Sequence, residues 1–253
     1  MEEQYINLVK DVLQYGDLHS NRNISSLSLY GKHLIIYFDD GFPILTTKKI
    51  WFKGVVCELL WMLNGYTNLK LLAEDNGSKE FLNKQGELGG YQWRNFGGDR
   101  LLNNGIDQLS QVINNLKSNP FSRKHIITSW NPKDALPPCH CFVQFLVDSK
   151  KGLTTILTQR SADIGLDLPF NITSYSLLTY IIGHLTNLIP KKLIINIGDA
   201  HIYLNHKIAL ENQIKRKPLP LPQLHIIKNH KNISDFSLGS FMLNNYNHYP
   251  SIN

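Results

Sequence analysis

Residues 139–203 read CHCFVQFLVDSKKGLTTILTQRSADIGLDLPFNITSYSLLTYIIGHLTNLIPKKLIINIGDAHIY. Two runs rich in β-branched and aromatic residues, 141–148 and 153–160, flank Asp148-Ser149-Lys150-Lys151-Gly152. That arrangement predicts a hairpin closed by a turn. The apolar stretch 173–187 is too long for a strand and predicts a helix. Residues 193–203 return as a strand, and 205–216 predict a helix. A hairpin, a helix and a further strand in succession make a mixed pattern, α+β (mixed α/β), in which helices surround a sheet.

Working outward, Tyr5, Leu8, Val9, Val12 and Leu13 fall on one face of a helix over 2–15, and Gly16 can stop it. Residues 25–38 predict two strands broken at Gly31, and residues 52–63 an apolar helix ending at Asn64-Gly65. Thr67 can cap a following helix through about Glu74. The Gly- and Asn-rich stretch 75–104 predicts loop with short elements. Ile106, Leu109, Val112, Ile113 and Leu116 mark another amphipathic helix stopped near Pro120, and 124–130 predict a strand. No repeat or low-complexity linker divides the chain, so 1–253 are expected to form one domain.

Composition narrows the function. The chain is 42% hydrophobic and 10% aromatic, as globular proteins are. No apolar run is long enough to span a bilayer, and Met1-Glu2-Glu3 lacks the basic start of a signal peptide. The expectation is a cytoplasmic protein, in the host cytoplasm if the gene is viral. The net charge of +6 is spread out, the densest run being Lys215-Arg216-Lys217. Scattered cations suit phosphate-bearing small molecules better than a nucleic-acid track. Cys57, Cys139 and Cys141 are an odd set without a disulfide framework, and two cysteines two apart do not make a zinc knuckle. No metal and no obligate nucleic acid are expected.

Polar residues gather in otherwise apolar sequence at Leu136-Pro137-Pro138-Cys139-His140, at Gln159-Arg160-Ser161-Ala162-Asp163, at Leu168-Pro169-Phe170-Asn171 and at Gly198-Asp199-Ala200-His201-Ile202-Tyr203. Buried polar groups cost free energy without partners, so such clusters mark turns or sites. Each residue also has a plain structural reading: an inert buried thiol, a surface ion pair at Arg160, a helix cap at Asn171, a core-edge His201 and a strand Tyr203.

These segments, in this order, resemble the thymidylate synthase family. The resemblance extends to Asp40 through Lys49, to Glu58-Leu59-Leu60-Trp61, to Gln92-Trp93-Arg94, and to Ser122-Arg123-Lys124 through Trp130-Asn131. It covers residues 4 to about 252. It implies a single-domain fold with a mixed sheet used as a homodimer interface. It also implies a transferase that moves a one-carbon unit from 5,10-methylenetetrahydrofolate, as co-substrate, to C5 of dUMP. By the same resemblance Cys139 is the nucleophile that adds to C6. Arg160 lowers the thiol pKa and holds phosphate with Arg22 and Ser161. Arg123 and Lys124 reach a phosphate across the dimer, Lys124 standing where an arginine is usual. His140 and Gln159 belong to the nucleotide site, and Asn171 reads the base. A carboxamide pairs with N3–H and O4 of uracil, whereas relatives acting on cytosine carry Asp there. His201 and Tyr203 take the 3′-hydroxyl. Asp163, Asp167, Phe170 and Trp61 line the folate, and Glu58 organises water for proton transfer.

The sequence departs from the family pattern on the folate side. It stops at Tyr249-Pro250-Ser251-Ile252-Asn253, where family members continue. Ser78-Lys79-Glu80-Phe81-Leu82 replaces a tryptophan-bearing segment. The loop before Gln92-Trp93-Arg94 is compressed around Tyr91, Gly165-Leu166-Asp167 replaces Phe-Leu-Gly, and Asn23-Ile24-Ser25-Ser26 follows Arg22 in place of a Thr-Gly repeat. Methylation needs a dry, closed site, and a leaky one admits water. The main expectation is therefore a dUMP hydroxymethylase, in keeping with a phage or viral origin, with Asp167 orienting the water. The alternative is a divergent thymidylate synthase that finishes with hydride. A third reading is an inactive paralogue that binds nucleotide or RNA, against which Cys139, Arg160, Asp163 and Asn171 argue.

Overall fold

In a computed structural model of the chain, residues 1–20, 25–67, 89–99, 102–134 and 138–252 are described. Six strands form one mixed sheet in the order β1-β2-β6-β5-β4-β3: β1 (Asp17–His19), β2 (Ser26–Tyr37), β3 (Ile126–Thr128), β4 (His140–Val147), β5 (Gly152–Asp163) and β6 (Ile189–Tyr203). Only β5 and β6 run parallel; the other neighbours are antiparallel. Parallel neighbours need a long crossover, which helix α5 (Asp167–Thr186) supplies. A hairpin of β7 (Gln223–Ile226) and β8 (Phe241–Asn244) stands apart.

The helices cover one face of the sheet. Helix α1 (Glu2–Tyr15) buries Tyr5, Ile6, Leu8, Val9 and Val12 and ends where the Gly16 amide donates to the Val12 carbonyl. Helix α2 (Phe52–Leu63) is apolar on most sides, and α4 (Gln108–Ser118) starts at Asp107, whose carboxylate caps the Ser110 amide. Two short helices, α3 (Gly89–Asn95) and α6 (Lys207–Gln213), are the others among the described residues. One continuous core joins Val9, Leu59, Val112, Leu177, Leu178, Ile195 and Phe241. No helix among the described residues is long and apolar enough to cross a membrane.

The decisive feature lies within the sheet. Core-facing residues keep a period of two along each strand, and then the phase slips by one. On β6 the core face is Leu193, Ile195 and Ile197, then Ala200 and Ile202. On β5 it is Leu153 and Leu157, then Ala162. On β2 it is Leu34 and Ile36, with Leu27 and Leu29 packed on the core beyond the slip. The pairing skips Gly31 opposite Gly198, and Arg160 opposite Gly198, and shifts between His140 and Phe142 on β4. Gly31 takes φ +65, and a Cβ on Gly198 would sit 2.6 Å from the Arg160 carbonyl oxygen. A one-residue slip exchanges the two faces of a strand. Here it turns Ser161, Asp199, His201 and Tyr203 outward, while Ala162, Ala200 and Ile202 fill the core.

Several sequence expectations are revised. Strand β2 runs unbroken through Gly31, because β6 carries its own glycine at the same level. Helix α5 begins at Asp167, six residues before the expected 173. Pro169 lies in its first turn, where a missing N–H costs nothing. Asn171 is therefore inside the helix, not its cap. The expected helix over 205–216 is a 3-10 turn (Leu204–His206) followed by α6. The short elements expected within 75–104 include, among the described residues, the helix Gly89–Asn95. The expected helix from Thr67 to Glu74 and the segment 78–82 lie outside the described residues.

Gly198→Ala should lower stability by about 2 kcal/mol, the usual scale of overpacking. Gly239→Ala, whose new Cβ has its nearest neighbour at 3.9 Å, should cost much less. Urea unfolding compares the two; equal midpoints would mean the strands separate freely at Gly198.

Candidate active site

Cys139 lies half-buried just before β4, between Pro138 and His140. Arg160 brackets it. The Arg160 amide donates to the Cys139 carbonyl at 3.0 Å, and its Nε donates to the Pro138 carbonyl at 3.2 Å. The guanidinium carbon lies 5.9 Å from the Trp130 ring centroid. A strand residue at the phase slip thus clamps the cysteine segment from both sides and keeps its cation there. Cys141 is also half-buried, but its thiol donates weakly to the Cys139 carbonyl at 3.5 Å. Cys57 is buried against Trp61 and packs with Trp51 and Met62.

Gln159 pairs across the sheet with His140 and is 1% exposed, yet neither its Nε2 nor its Oε1 has a partner. Asn171, 7% exposed in the first turns of α5, likewise has an Nδ2 without a partner. A buried amide left unpaired costs about 1–3 kcal/mol, so two of them in one region ask for a ligand. His140, in contrast, is fixed: its Nδ1 shares a hydrogen bond with the Tyr175 hydroxyl at 3.0 Å. Tyr175 in turn packs edge-on against Trp93, whose indole donates to the Ser129 hydroxyl at 2.6 Å.

The outward face beyond the slip carries a cavity of about 410 Å³ lined by His19, Ser20, Ser26, Ser28, Tyr30, Ser161, Asp199, His201 and Tyr203. Ser161 Oγ lies 3.3 Å from His201 Nδ1, and Asp199 lies 3.8 Å from the same nitrogen. Burial raises the Tyr203 pKa first, and the negative groups Asp163, Asp167, Cys139 and Asp199 raise it further. The cysteine and three carboxylates therefore share the neighbourhood of one phenol. The wall is rich in hydroxyl and imidazole donors, which suit a sugar and a phosphate.

Asp163 ends β5 almost fully buried. Its Oδ1 accepts from the amides of Gly165 at 2.7 Å and Leu166 at 3.1 Å, and its Oδ2 lies 3.9 Å from His206 Nδ1. The Lys48 ammonium donates to the Gly165 carbonyl. Burial pulls the Lys48 pKa down to about 8, while the nearby Asp163 acts in the opposite direction. Asp167 opens α5, exposed, where a carboxylate suits the helix N-terminus.

Other expected residues are placed less directly. Glu58 is half-buried on α2, and Phe170 packs partly buried on the main core. Arg123 and Lys124 are exposed just before β3, at the sheet edge away from the cavity on β2, β6 and β5. Arg22 lies outside the described residues. The Tyr91 hydroxyl donates to the Gly98 carbonyl and accepts from Asn95. Among the described residues no three His, Cys, Asp or Glu side chains gather as a metal site would require.

Lys48, Tyr175, Asp199 and Trp130 had no role in the sequence reading. Two had a local signal. Tyr175 is four residues after Asn171 on a helix, and Asp199 is two before His201 on a strand, so each shares its neighbour's face. Lys48 and Trp130 meet their partners only in three dimensions.

The sequence profile of the thymidylate synthase family matches residues 3–253. The thymidylate synthase of Herpesvirus ateles is 43% identical over 99% of this chain and 96% of its own length. That of Saccharomyces cerevisiae is 42% identical over 99% and 95%, and the human protein of the same name 41% identical over 99% and 89%.

The Lys48 shift gives a pH test. Its folded pKa, about 8, lies below its ordinary value of 10.5. Below pH 8 both folded and unfolded chains carry the charge, and the burial penalty is fully present. Between about 8 and 10.5 the unfolded chain binds more protons, so stability rises with pH. The stability of the wild type relative to Lys48→Met should therefore improve from pH 7.5 to 10. Chemical denaturation at several pH values measures it; a flat difference would contradict the burial of the charge.

Proposed function

The chain belongs to the thymidylate synthase family, and we propose that it converts dUMP to dTMP with 5,10-methylenetetrahydrofolate. The observation that carries this reading is a pair of buried carboxamides with unpartnered groups: Gln159, paired across the sheet with His140, and Asn171, one turn before the Tyr175 that holds His140. The free Nδ2 of Asn171 suits O4 of uracil, an acceptor; cytosine offers a donor there. The Ser161, His201 and Tyr203 side chains on the cavity wall suit the phosphate and 3′-hydroxyl, and the family resemblance adds Arg22 and Arg160 as cations.

In this account the Cys139 thiolate, favoured by the Arg160 cation, adds to C6 of the pyrimidine. Electrons arriving at C5 let it form a bond to the carbon carried on folate nitrogen; the C5 proton then leaves through water organised by Glu58, and its electron pair expels the folate nitrogen by breaking the carbon–nitrogen bond. The folate supplies the carbon and the closing hydride and leaves as dihydrofolate. Elimination of the thiolate releases dTMP and restores Cys139. Asp163 and Asp167, with Phe170 and Trp61, stand for the folate end. His140, held by Tyr175, orders the polar base of the nucleotide site.

The hydroxymethylase expectation gives way here. The relatives that this chain matches over nearly its whole length carry the name thymidylate synthase, and the altered segment at 78–82 lies outside the described residues. Hydride, not water, finishes the reaction in this proposal. A homodimer completes the phosphate site with Arg123 and Lys124. What supports it is the open sheet face, where Tyr37 is exposed and Phe142, Leu146, Ile156 and Ile194 are partly so. The cytoplasmic location rests on the family alone.

Incubation with dUMP and methylenetetrahydrofolate, with products identified by mass, should give dTMP and dihydrofolate in equal amounts. Hydroxymethyl-dUMP without dihydrofolate would overturn the hydride step, and no product would favour an inactive nucleotide-binding paralogue. Cys139→Ser should abolish turnover. Asn171→Asp should move kcat/KM from dUMP towards dCMP by on the order of a hundredfold or more; unchanged discrimination would remove Asn171 from base reading.

A further inference from the structure

Glu2 is 4% exposed, an unusual place for a carboxylate near the start of a surface helix. It accepts from four groups of a loop more than forty positions along the chain. The Thr46 amide reaches both its oxygens at 3.0 and 2.9 Å, and the Thr46 hydroxyl donates at 2.6 Å. The Thr47 amide and hydroxyl donate at 2.7 and 2.5 Å. One turn on, the Tyr5 hydroxyl donates to the Ile164 carbonyl at 3.0 Å. Residues i and i+3 share a helix face, so one face of α1 grips two loops at once. The first loop carries Lys48, whose ammonium donates to the Gly165 carbonyl of the second. The second follows Asp163, the last residue of β5, whose Oδ1 accepts from its Gly165 and Leu166 amides. Segment 246–250 hangs on the same threonine loop: the Tyr249 amide donates to the Thr46 carbonyl at 2.8 Å, and Arg216 Nη1 donates to the carbonyls of Thr47 and Pro250 at 2.7 and 2.9 Å.

We propose that Glu2, with Tyr5, is a positioning residue for the folate end of the site: it sets the spacing of the Lys48 loop and the loop that follows Asp163 without touching either substrate. The proposal rests on the functional reading above. Glu2 acts through backbone amides and hydroxyls, so a change at its carboxylate displaces the 46–48 loop and, through Lys48, the loop that follows Asp163, whereas the nucleotide-side groups on β5 and β6 are held by the sheet. A displacement of this kind far from the chemistry is enough to weaken binding at one end of a site.

The test is Glu2→Gln in the full chain. The amide keeps the volume but turns a donor towards amides and hydroxyls that also donate. KM for methylenetetrahydrofolate should rise about tenfold while KM for dUMP stays within about twofold. A merely structural role would lower the active fraction and the melting temperature and leave both KM values unchanged; that result overturns the proposal, as does a parallel rise in both. Tyr5→Phe, which removes one hydroxyl and keeps the packing, should raise the folate KM about threefold. If Glu2→Gln does not fold, an unchanged folate KM in Tyr5→Phe overturns the proposal. If the wild type makes no dTMP, the functional reading fails by itself. Calorimetric affinities for dUMP and for methylenetetrahydrofolate then decide the positioning role on the same selective pattern.

Discussion

Gly198 lies against the Arg160 carbonyl so closely that a single methyl group would have to displace backbone. That contact is where neighbouring strands change phase together. Without the slip, strict alternation would send Asp199, His201 and Tyr203 into the hydrophobic interior and bring Ala200 and Ile202 outside. With it, polar groups on β2, β5 and β6 face one cavity, and Ala162, Ala200 and Ile202 face the core. The same slip puts Arg160 where its amide and its Nε both reach the segment bearing Cys139. A backbone irregularity thus joins the Cys139 segment to the polar cavity, and both stand on one sheet, which suits precise positioning.

Two kinds of buried polar group divide the work. Glu2 has a full set of donors, all from its own chain, and belongs to the architecture. Gln159 and Asn171 are also buried, but the Gln159 amide and the Asn171 Nδ2 lack partners, and in the proposed function they serve the ligand. Satisfied polar networks rigidify a fold, and unsatisfied ones store a cost that binding can relieve. The His140–Tyr175–Trp93–Ser129 series stands between the two, since it fixes the residue next to the nucleophile by contacts that run back into the core.

Much of this was legible in the sequence because it is local. Alternation marked the 141–160 hairpin, helical spacing marked α1 and α4, and the polar clusters marked the cysteine, Asn171 and His201 segments. What escaped was set by partners far along the chain. Gly31 looks like a strand break until Gly198 is placed beside it. Leu168-Pro169-Phe170-Asn171 looks like a turn, although proline is welcome in a first helical turn. Glu2 meets donors at a separation of 44 residues, and Lys48 meets a carbonyl at 117. The choice between hydride and water was argued from the folate side of the sequence, where the residues that bear on it are fewest and most altered. Kinship with named relatives, not local pattern, moved that choice.

The central claim is that Cys139, held by Arg160, attacks the ring of a uracil nucleotide lodged between Asn171 and the Ser161–His201–Tyr203 wall. A C5-fluorinated dUMP analogue tests it most directly, because fluorine cannot leave as the C5 proton does and the covalent adduct stalls. Mixed with methylenetetrahydrofolate and digested, the protein should yield one modified peptide, bearing nucleotide and folate together on Cys139. An adduct on Cys141 or Cys57, or no adduct with protein that binds the analogue, would contradict the account.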